Sequence, residues 1–157
     1  MELEHFANHL LYIWNCSVVE DDMVIIVGDI GYCCEKTKSL IRKLNGRKVL
    51  IIGNHDLSWG NQIYDETLFQ GVYSTLSING LHVQHIPTSD IVCDYFVHGH
   101  HHRYDMPGMH NTLKQYQQNS RFLNCSADLL KCKPMTLPEL ITNKELVIED
   151  YISKHIL

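Results

Sequence analysis

The chain of 157 residues lacks the features that mark membrane, secreted or nucleic-acid-binding proteins. No apolar run approaches the ~20 residues that a membrane span needs, and residues 1–9 are too polar for a signal peptide. No two of the six cysteines form a C-x-x-C pair, so a thiolate zinc site has little support. The 13 basic residues are outnumbered by 18 acidic ones, and the net charge of −5 disfavours long nucleic acid as a partner. We therefore expect a cytoplasmic protein with free thiols and no membrane contact.

Histidine is the residue type that the sequence contains in unusual number. There are 11 histidines against 9 glycines, and imidazole in that quantity suggests metal binding or acid–base catalysis. The apolar share of 45% and the charged share of 20% are those of a folded globular protein, and the length suits one domain over residues 1–157. Which histidines act together depends on where the fold places them.

Helices and buried strands alternate in the first third of the chain. Apolar residues recur at three- and four-residue spacing from Leu3 to Trp14, which predicts an amphipathic helix. β-Branched runs at residues 23–27 and 48–52 predict buried strands, and a second helix is expected between them over residues 35–44. This alternation predicts an α/β fold with a parallel core.

Shorter elements are expected in the rest of the chain. Asn79-Gly80 separates apolar runs at residues 72–78 and 81–85, which predicts a β-hairpin. Thr136 and Glu139 form the capping box of a last helix. The remaining expectations are a short helix at 61–69, strands at 95–97 and 121–125, a long loop at 103–120, and either strand or helix at 145–157.

Five side chains that bind metals in other proteins follow the predicted strand ends. Asp29 and Asn54 follow the first two strands, His85 ends the hairpin, and His100 and His102 follow the next strand. Ligands of open α/β sheets bind beyond the carboxyl ends of the strands, so we expect these side chains to converge. In an extended loop His100 and His102 would lie on the same side and could reach two adjacent ions.

The chemistry of this set favours divalent metals of borderline hardness. Carboxylate, amide and imidazole ligands without thiolate suit manganese, iron, zinc, nickel or cobalt, and two such ions about 3.5–4 Å apart are a standard device for phosphoryl hydrolysis. Each residue alone also has a simpler interpretation. Asp29 can cap the next turn, Asn54 and His55 can be ordinary turn residues, and His85 can be a half-buried structural histidine.

Four short motifs, in this order, resemble those of the calcineurin-like metallophosphoesterases. They are Gly28-Asp29, Gly53-Asn54-His55-Asp56, His85 within His-Ile-Pro, and Gly99-His100-His101-His102. Trp14-Asn15, Leu44-Asn-Gly46 and Leu123-Asn-Cys125 also resemble the small bacterial phosphoesterase branch, and the resemblance covers about residues 8–140. It implies a metallophosphoesterase-like αββα sandwich of mixed sheets flanked by helices. It also implies a phosphatase-type hydrolase that uses metal-activated water on a phosphomonoester or phosphodiester of a small molecule or nucleotide.

The resemblance implies a role for each metal-binding residue. Asp29 corresponds to a carboxylate that bridges two divalent ions. Asn54, His85 and His100 correspond to ligands of the second ion, and His102 corresponds to a ligand of the first. One or two ions are therefore expected as the cofactor.

Two further residues have implied roles in catalysis. His55 resembles the histidine that stabilises the phosphoryl group or protonates the leaving oxygen. Asp56 resembles a carboxylate that orients His55 by a hydrogen bond.

The sequence departs from the family at its N-terminal end. The family's first strand ends in Asp-x-His, and no Asp-x-His precedes Asp29 here. We therefore expect an N-terminally truncated form of the fold, with His5 and His9 on the first helix as poor substitutes. One metal ion would be held well and the other weakly or not at all.

Three functions stay open at this point. The first is a metal-dependent phosphoesterase. The second is a catalytically impaired, metal-binding relative. The third is a truncated assembly module whose open sheet edge pairs with another chain, and a homodimer is one way to cover such an edge.

Overall fold

The computed structural model describes residues 2–102, 116 and 119–144. The elements are α1 (Glu2–Ser17), β1 (Met23–Ile26), α2 (Glu35–Lys43), β2 (Arg47–Ile51), a 3₁₀ helix (Asp56–Tyr64), β3 (Gly71–Tyr73), β4 (Thr75–Ile78), β5 (Leu81–Gln84), β6 (Tyr95–His98), β7 (Phe122–Asn124) and α3 (residues 137–144). The predicted loop at 103–120 lies largely outside the described residues, and the segment at 145–157 lies wholly outside them. None of the helices described is long and apolar enough to cross a membrane.

The strands form two sheets of different character. β1, β2 and β3 form a parallel sheet in that order, with Ile25 aligned with Val49 and Leu50 with Val72. The second sheet has the order β4-β5-β6-β7, in which β4 and β5 are an antiparallel hairpin and the other neighbours are parallel. The predicted α/β class with a parallel core is confirmed, and the second sheet is mixed.

Two hydrophobic clusters lie on opposite faces of the first sheet, and one of them also includes residues of the second sheet. Alternate residues of β2 point to opposite faces, so that Leu50 packs with Ile41 of α2 and Trp59 of the 3₁₀ helix, whereas Ile51 packs with Val83 of the second sheet. Leu50 and Ile51 are both 0% exposed, and burying each stabilises the fold by roughly 1.5–3 kcal/mol. The sheets therefore stack face to face, and helices cover the outer face of the first.

Residues 72–78 were predicted as a single strand, and this prediction is wrong. The chain passes from one sheet to the other at Ser74, because the Tyr73 carbonyl accepts the Ile52 N–H at 2.9 Å in the first sheet while residues 75–78 pair with β5 in the second. The hairpin turn itself is confirmed, since Asn79 (φ 48°) and Gly80 (φ 81°) have the left-handed conformation that this turn requires.

The short helix predicted at residues 61–69 begins earlier, at Asp56, because Trp59 and Ile63 are the residues that pack against the first sheet. The capping box of α3 is confirmed, since the Glu139 carboxylate accepts the Thr136 N–H at 2.8 Å.

α1 forms as predicted, yet its apolar face is only partly covered. Phe6 remains 55% exposed.

All six cysteines are unpaired, as predicted. Cys16 and Cys34 are exposed, and the other four are half-buried.

Candidate metal centre

Three of the predicted ligands come together at the carboxyl ends of the strands. Asp29 follows β1, His85 follows β5 and His100 follows β6. Their ligand atoms all lie within 4.8 Å of one another. The parallel pairing of β5 with β6 brings His85 and His100 to the same edge, and the stacking of the sheets brings Asp29 to them. The predicted convergence is confirmed for these three residues.

His85 has the environment of an imidazole prepared to bind a cation. Its ring nitrogen Nδ1 lies 2.7 Å from the carbonyl oxygen of Val27, and because a carbonyl only accepts, Nδ1 carries the hydrogen. The other nitrogen, Nε2, is buried without a hydrogen-bond partner in the described structure and lies 3.1 Å from Asp29 Oδ2. The lone pair of His85 Nε2 and Asp29 Oδ2 face each other away from water. A positive charge between them, either a second ring proton or a divalent ion, would stabilise both.

Asn54 adds an amide oxygen to this group. Its Oδ1 lies 3.0 Å from His100 Nδ1, and because an amide oxygen only accepts, Nδ1 carries the hydrogen and His100 Nε2 is the nitrogen left to bind an ion. Burial, followed by the nearby His85, lowers the pKa of His100 below its ordinary value. A lowered pKa favours the neutral ring, which is the form that binds metals.

Two residues of the group have strained backbones. Asp29 has φ 55° and His100 has φ 65°, in the left-handed region that costs a residue with a Cβ atom roughly 1–2 kcal/mol. Such strain is found mostly where a side chain has to be aimed at a ligand.

His102 is not part of the group, contrary to the prediction from an extended loop. The chain turns tightly at this point, since the His101 N–H donates to the Gly99 carbonyl at 2.7 Å and His100 is left-handed, so His100 and His102 do not alternate as in a strand. The His102 side chain is 62% exposed, and its Nδ1 lies 3.4 Å from Asp128 Oδ1. No motif in the sequence indicated Asp128.

His55 and Asp56 lie next to the group, in different positions. His55 is exposed, and its main-chain N–H donates to Asp29 Oδ1 at 2.9 Å. Asp56 is only 1% exposed, and both of its carboxylate oxygens accept main-chain N–H groups, from Asp29, Ile30 and Gly53. The resemblance implied a hydrogen bond between the His55 ring and Asp56. This bond is not formed in the described structure, because the Asp56 carboxylate accepts main-chain N–H groups of the loops after β1 and β2 instead.

Three other histidines, His82, His98 and His101, are buried, although the sequence favours surface or loop positions for them. His82 Nδ1 lies 2.7 Å from Ser77 Oγ, and His98 Nδ1 donates to the Gly99 carbonyl at 2.9 Å. Burial lowers the pKa of His98 to about 4, so its ring is neutral. His101 stacks on Tyr116. His82 and His98 lie on β5 and β6 next to Val83 and Val97, which are themselves buried.

The candidate metal-binding group, formed by Asp29, His85 and His100, opens onto a cavity of about 770 Å³. Asp29, His85, His100 and His102 line the cavity together with Leu10 and Trp14 of α1 and with β1, which is an edge strand of the sheet as described. The volume is in the range of small-molecule sites. The cavity is therefore large enough for a substrate that reaches the group.

Comparison with known proteins identifies relatives without a stated function. The chain matches no known family model. Its sequence is 26% identical over 150 residues to the uncharacterized protein MJ1445 of Methanocaldococcus jannaschii, which covers 88% of this chain and 75% of that protein. Its fold is similar to the crystal structure of AQ665, a protein of unknown function from Aquifex aeolicus, with a TM-score of 0.63 and 19% identity over 87% of this chain and 84% of that one. The chain shares its fold with AQ665, and neither name carries an activity.

Proposed function

We propose that the protein is a metal-dependent phosphoesterase of the calcineurin-like type. The observation that carries the proposal is the buried pair of His85 Nε2 and Asp29 Oδ2, 3.1 Å apart, with Nε2 lacking a hydrogen-bond partner in the described structure. Within this proposal the two stacked sheets are the halves of a metallophosphoesterase-like αββα sandwich.

The donor set fits a divalent ion of the manganese, iron, zinc, nickel or cobalt type. Asp29, Asn54, His85 and His100 offer one carboxylate, one amide oxygen and two imidazoles, without a thiolate. When bound, such an ion supplies Lewis-acid stabilisation of phosphoryl oxygens and lowers the pKa of water.

The chain's own residues have separate tasks in this mechanism. The Val27 carbonyl fixes the His85 tautomer and leaves Nε2 free to bind. Asp29 is held by the His55 N–H at one oxygen, so its second oxygen stays directed at His85. His55 is exposed and its main chain is bonded to Asp29, and we assign its ring to stabilise the phosphoryl group or to give a proton to the leaving oxygen.

The proposed substrate class is supported by the size of the cavity and by the net charge of the chain. A cavity of about 770 Å³ suits a phosphorylated small molecule or a nucleotide. The net charge of −5 disfavours long nucleic acid.

One observation favours a second candidate, a catalytically impaired relative that binds a single ion. Because His102 is exposed and 3.4 Å from Asp128, it lies outside the ligand group that contains Asp29, His85 and His100. A site that holds one ion and cannot take up a second from solution would bind metal without efficient turnover. The edge of β1, which pairs with no further strand among the described residues, is also compatible with the third candidate, an assembly module, and with a homodimer.

The test is hydrolysis of a chromogenic aryl phosphate monoester and of the matching diester with added Mn²⁺. We expect turnover by the wild type and its loss in Asp29→Asn and His100→Ala, while His9→Ala, an exposed histidine on α1, keeps full activity. Absence of turnover with every metal of the set, in a folded protein that still binds one ion, would reject the enzyme in favour of the impaired relative.

Metal content tests the number of ions separately. We expect mass spectrometry of protein purified without chelator to find one tightly held equivalent. Two equivalents at full occupancy would contradict the single-ion interpretation and would restore His102 as a ligand.

A further inference from the structure

A buried carboxylate connects the two loops that carry the candidate metal centre. Asp56 is 1% exposed, although carboxylates are almost never fully buried without compensation. Three main-chain N–H groups compensate for the burial of this carboxylate by donating hydrogen bonds to it. Those of Asp29 and Gly53 lie 2.8 Å from Oδ2, and that of Ile30 lies 2.9 Å from Oδ1. Hydrogen bonds to an ionised acceptor are roughly twice as strong as neutral ones. One side chain therefore joins the loop after β1 to the loop after β2.

The two loops are also joined in the reverse direction. Asp29 Oδ1 accepts the main-chain N–H of His55, the neighbour of Asp56, at 2.9 Å. The approach is so close that a Cβ atom on Gly53 would lie 2.3 Å from Asp29 Oδ1. Asp29 thus has its own N–H bonded to Asp56, one oxygen bonded to His55, and its second oxygen left to face His85.

We propose that Asp56 is a positioning residue of this centre. Its carboxylate holds the main chain of Asp29 in the left-handed conformation, φ 55°, that directs Oδ2 toward His85. The inference rests on the proposed metal binding. It differs from the role that the resemblance implied, because Asp56 acts on Asp29 through the main chain and not on the ring of His55.

The geometry explains why a carboxylate is needed at this position. Asparagine has one oxygen and can keep the two hydrogen bonds made to Oδ2, but its NH₂ group then faces the Ile30 N–H, and two donors repel. Glutamate keeps the charge but is one methylene longer, so its oxygens would no longer lie at the three N–H groups. Asp56→Asn tests whether the three hydrogen bonds are needed. Asp56→Glu keeps the negative charge but moves the oxygens, so it tests whether their position matters in addition to the charge.

The experiment measures Mn²⁺ affinity by calorimetric titration and the visible absorption spectrum of the Co²⁺-loaded protein. We expect both Asp56 variants to bind Mn²⁺ about 10- to 100-fold more weakly than the wild type and to change the Co²⁺ spectrum, as for other residues that orient metal ligands. If the negative charge alone were responsible, Asp56→Glu would keep the affinity of the wild type, and that result would overturn the proposal.

Two control variants separate positioning from general loss of stability. Asp65→Asn makes the same chemical change at an exposed carboxylate that accepts the main-chain N–H of Thr67 at 2.9 Å, and we expect unchanged Mn²⁺ affinity. Ile63→Val removes a buried methylene from the same 3₁₀ helix and lowers stability by about 0.5–1.5 kcal/mol. An equal loss of Mn²⁺ affinity in Ile63→Val would show that Asp56 acts only through stability.

A measurement without metal keeps this inference distinct from the proposed function. In the metal-free protein, Asp56→Asn is expected to speed hydrogen exchange at the amides of Asp29, Ile30 and Gly53 more than at the amides of β5 and β6. A wild type that binds no Mn²⁺ would reject the proposed function and, with it, the metal-positioning role. Equal Mn²⁺ binding by the wild type and both variants would reject the positioning role alone.

Discussion

Replacing Gly53 by alanine tests how closely the loops after β1 and β2, which carry the candidate metal centre, have to approach each other. The backbone of Gly53 is not left-handed, so alanine meets no conformational penalty there, but its Cβ would lie 2.3 Å from Asp29 Oδ1 and 2.5 Å from Asp29 N. The first of these distances is about 0.7 Å below the 3.0 Å that real Cβ contacts keep. Because the second contact is with backbone, no side-chain rotation relieves it, and the loops have to separate.

The expected magnitudes follow from this displacement. Overpacking of this kind costs about 3 kcal/mol of the free energy of unfolding. A shift of about 0.7 Å in the Asp29 carboxylate is expected to weaken Mn²⁺ binding by up to about 100-fold, which corresponds to about 2.7 kcal/mol. Urea unfolding in the presence of chelator measures the first quantity, and calorimetric titration with Mn²⁺ measures the second.

Gly60→Ala is the matched control. Gly60 has φ 53° and nothing within 4 Å of an added Cβ, so alanine there costs about 1–3 kcal/mol from backbone strain without touching the centre. Mn²⁺ affinity should stay within twofold of the wild type. If Gly53→Ala and Gly60→Ala bind Mn²⁺ equally well, the argument from close approach is refuted.

Three further predictions concern other parts of the fold. Lys144→Met removes an ammonium group that donates to the Tyr116, Asn119 and Phe122 carbonyls, and it should lower the free energy of unfolding by about 1–3 kcal/mol in a urea titration, whereas unchanged stability would contradict it. Iodoacetamide should label Cys34 well before Cys125. The hydrogen bond to Thr37 lowers the pKa of the exposed Cys34 and so raises its thiolate fraction, while burial raises the pKa of Cys125 to about 12; mass spectrometry that finds Cys125 labelled first would refute this. Gly80→Ala should lower the melting temperature of the protein, because Gly80 has φ 81°, in the left-handed region that alanine adopts only at a cost. An unchanged melting temperature would contradict this prediction.

Several features follow from local chemistry, and they were predictable from the sequence. The turn at Asn79-Gly80 forms because these residue types tolerate φ above zero, and they adopt 48° and 81°. The start of α3 follows from the reciprocal bonds of Thr136 and Glu139. The positions of Asp29, His85 and His100 beyond strand ends follow from the strand pattern; parallel pairing of β5 with β6 brings the two histidines to one edge, whereas only the stacking of the two sheets brings Asp29 to them.

Other features depend on contacts between distant parts of the chain, and no local pattern indicated them. Residues 72–78 divide between two sheets because their partners, β2 and β5, lie in different sheets. His102 leaves the metal-binding group because His100 takes up a left-handed turn. Asp56 turns inward because three N–H groups from the loops after β1 and β2 meet around its carboxylate. Backbone sterics and hydrophobic periodicity act over a few residues and can be read along the chain, whereas the direction of a metal ligand depends on hydrogen bonds between segments that meet only after folding.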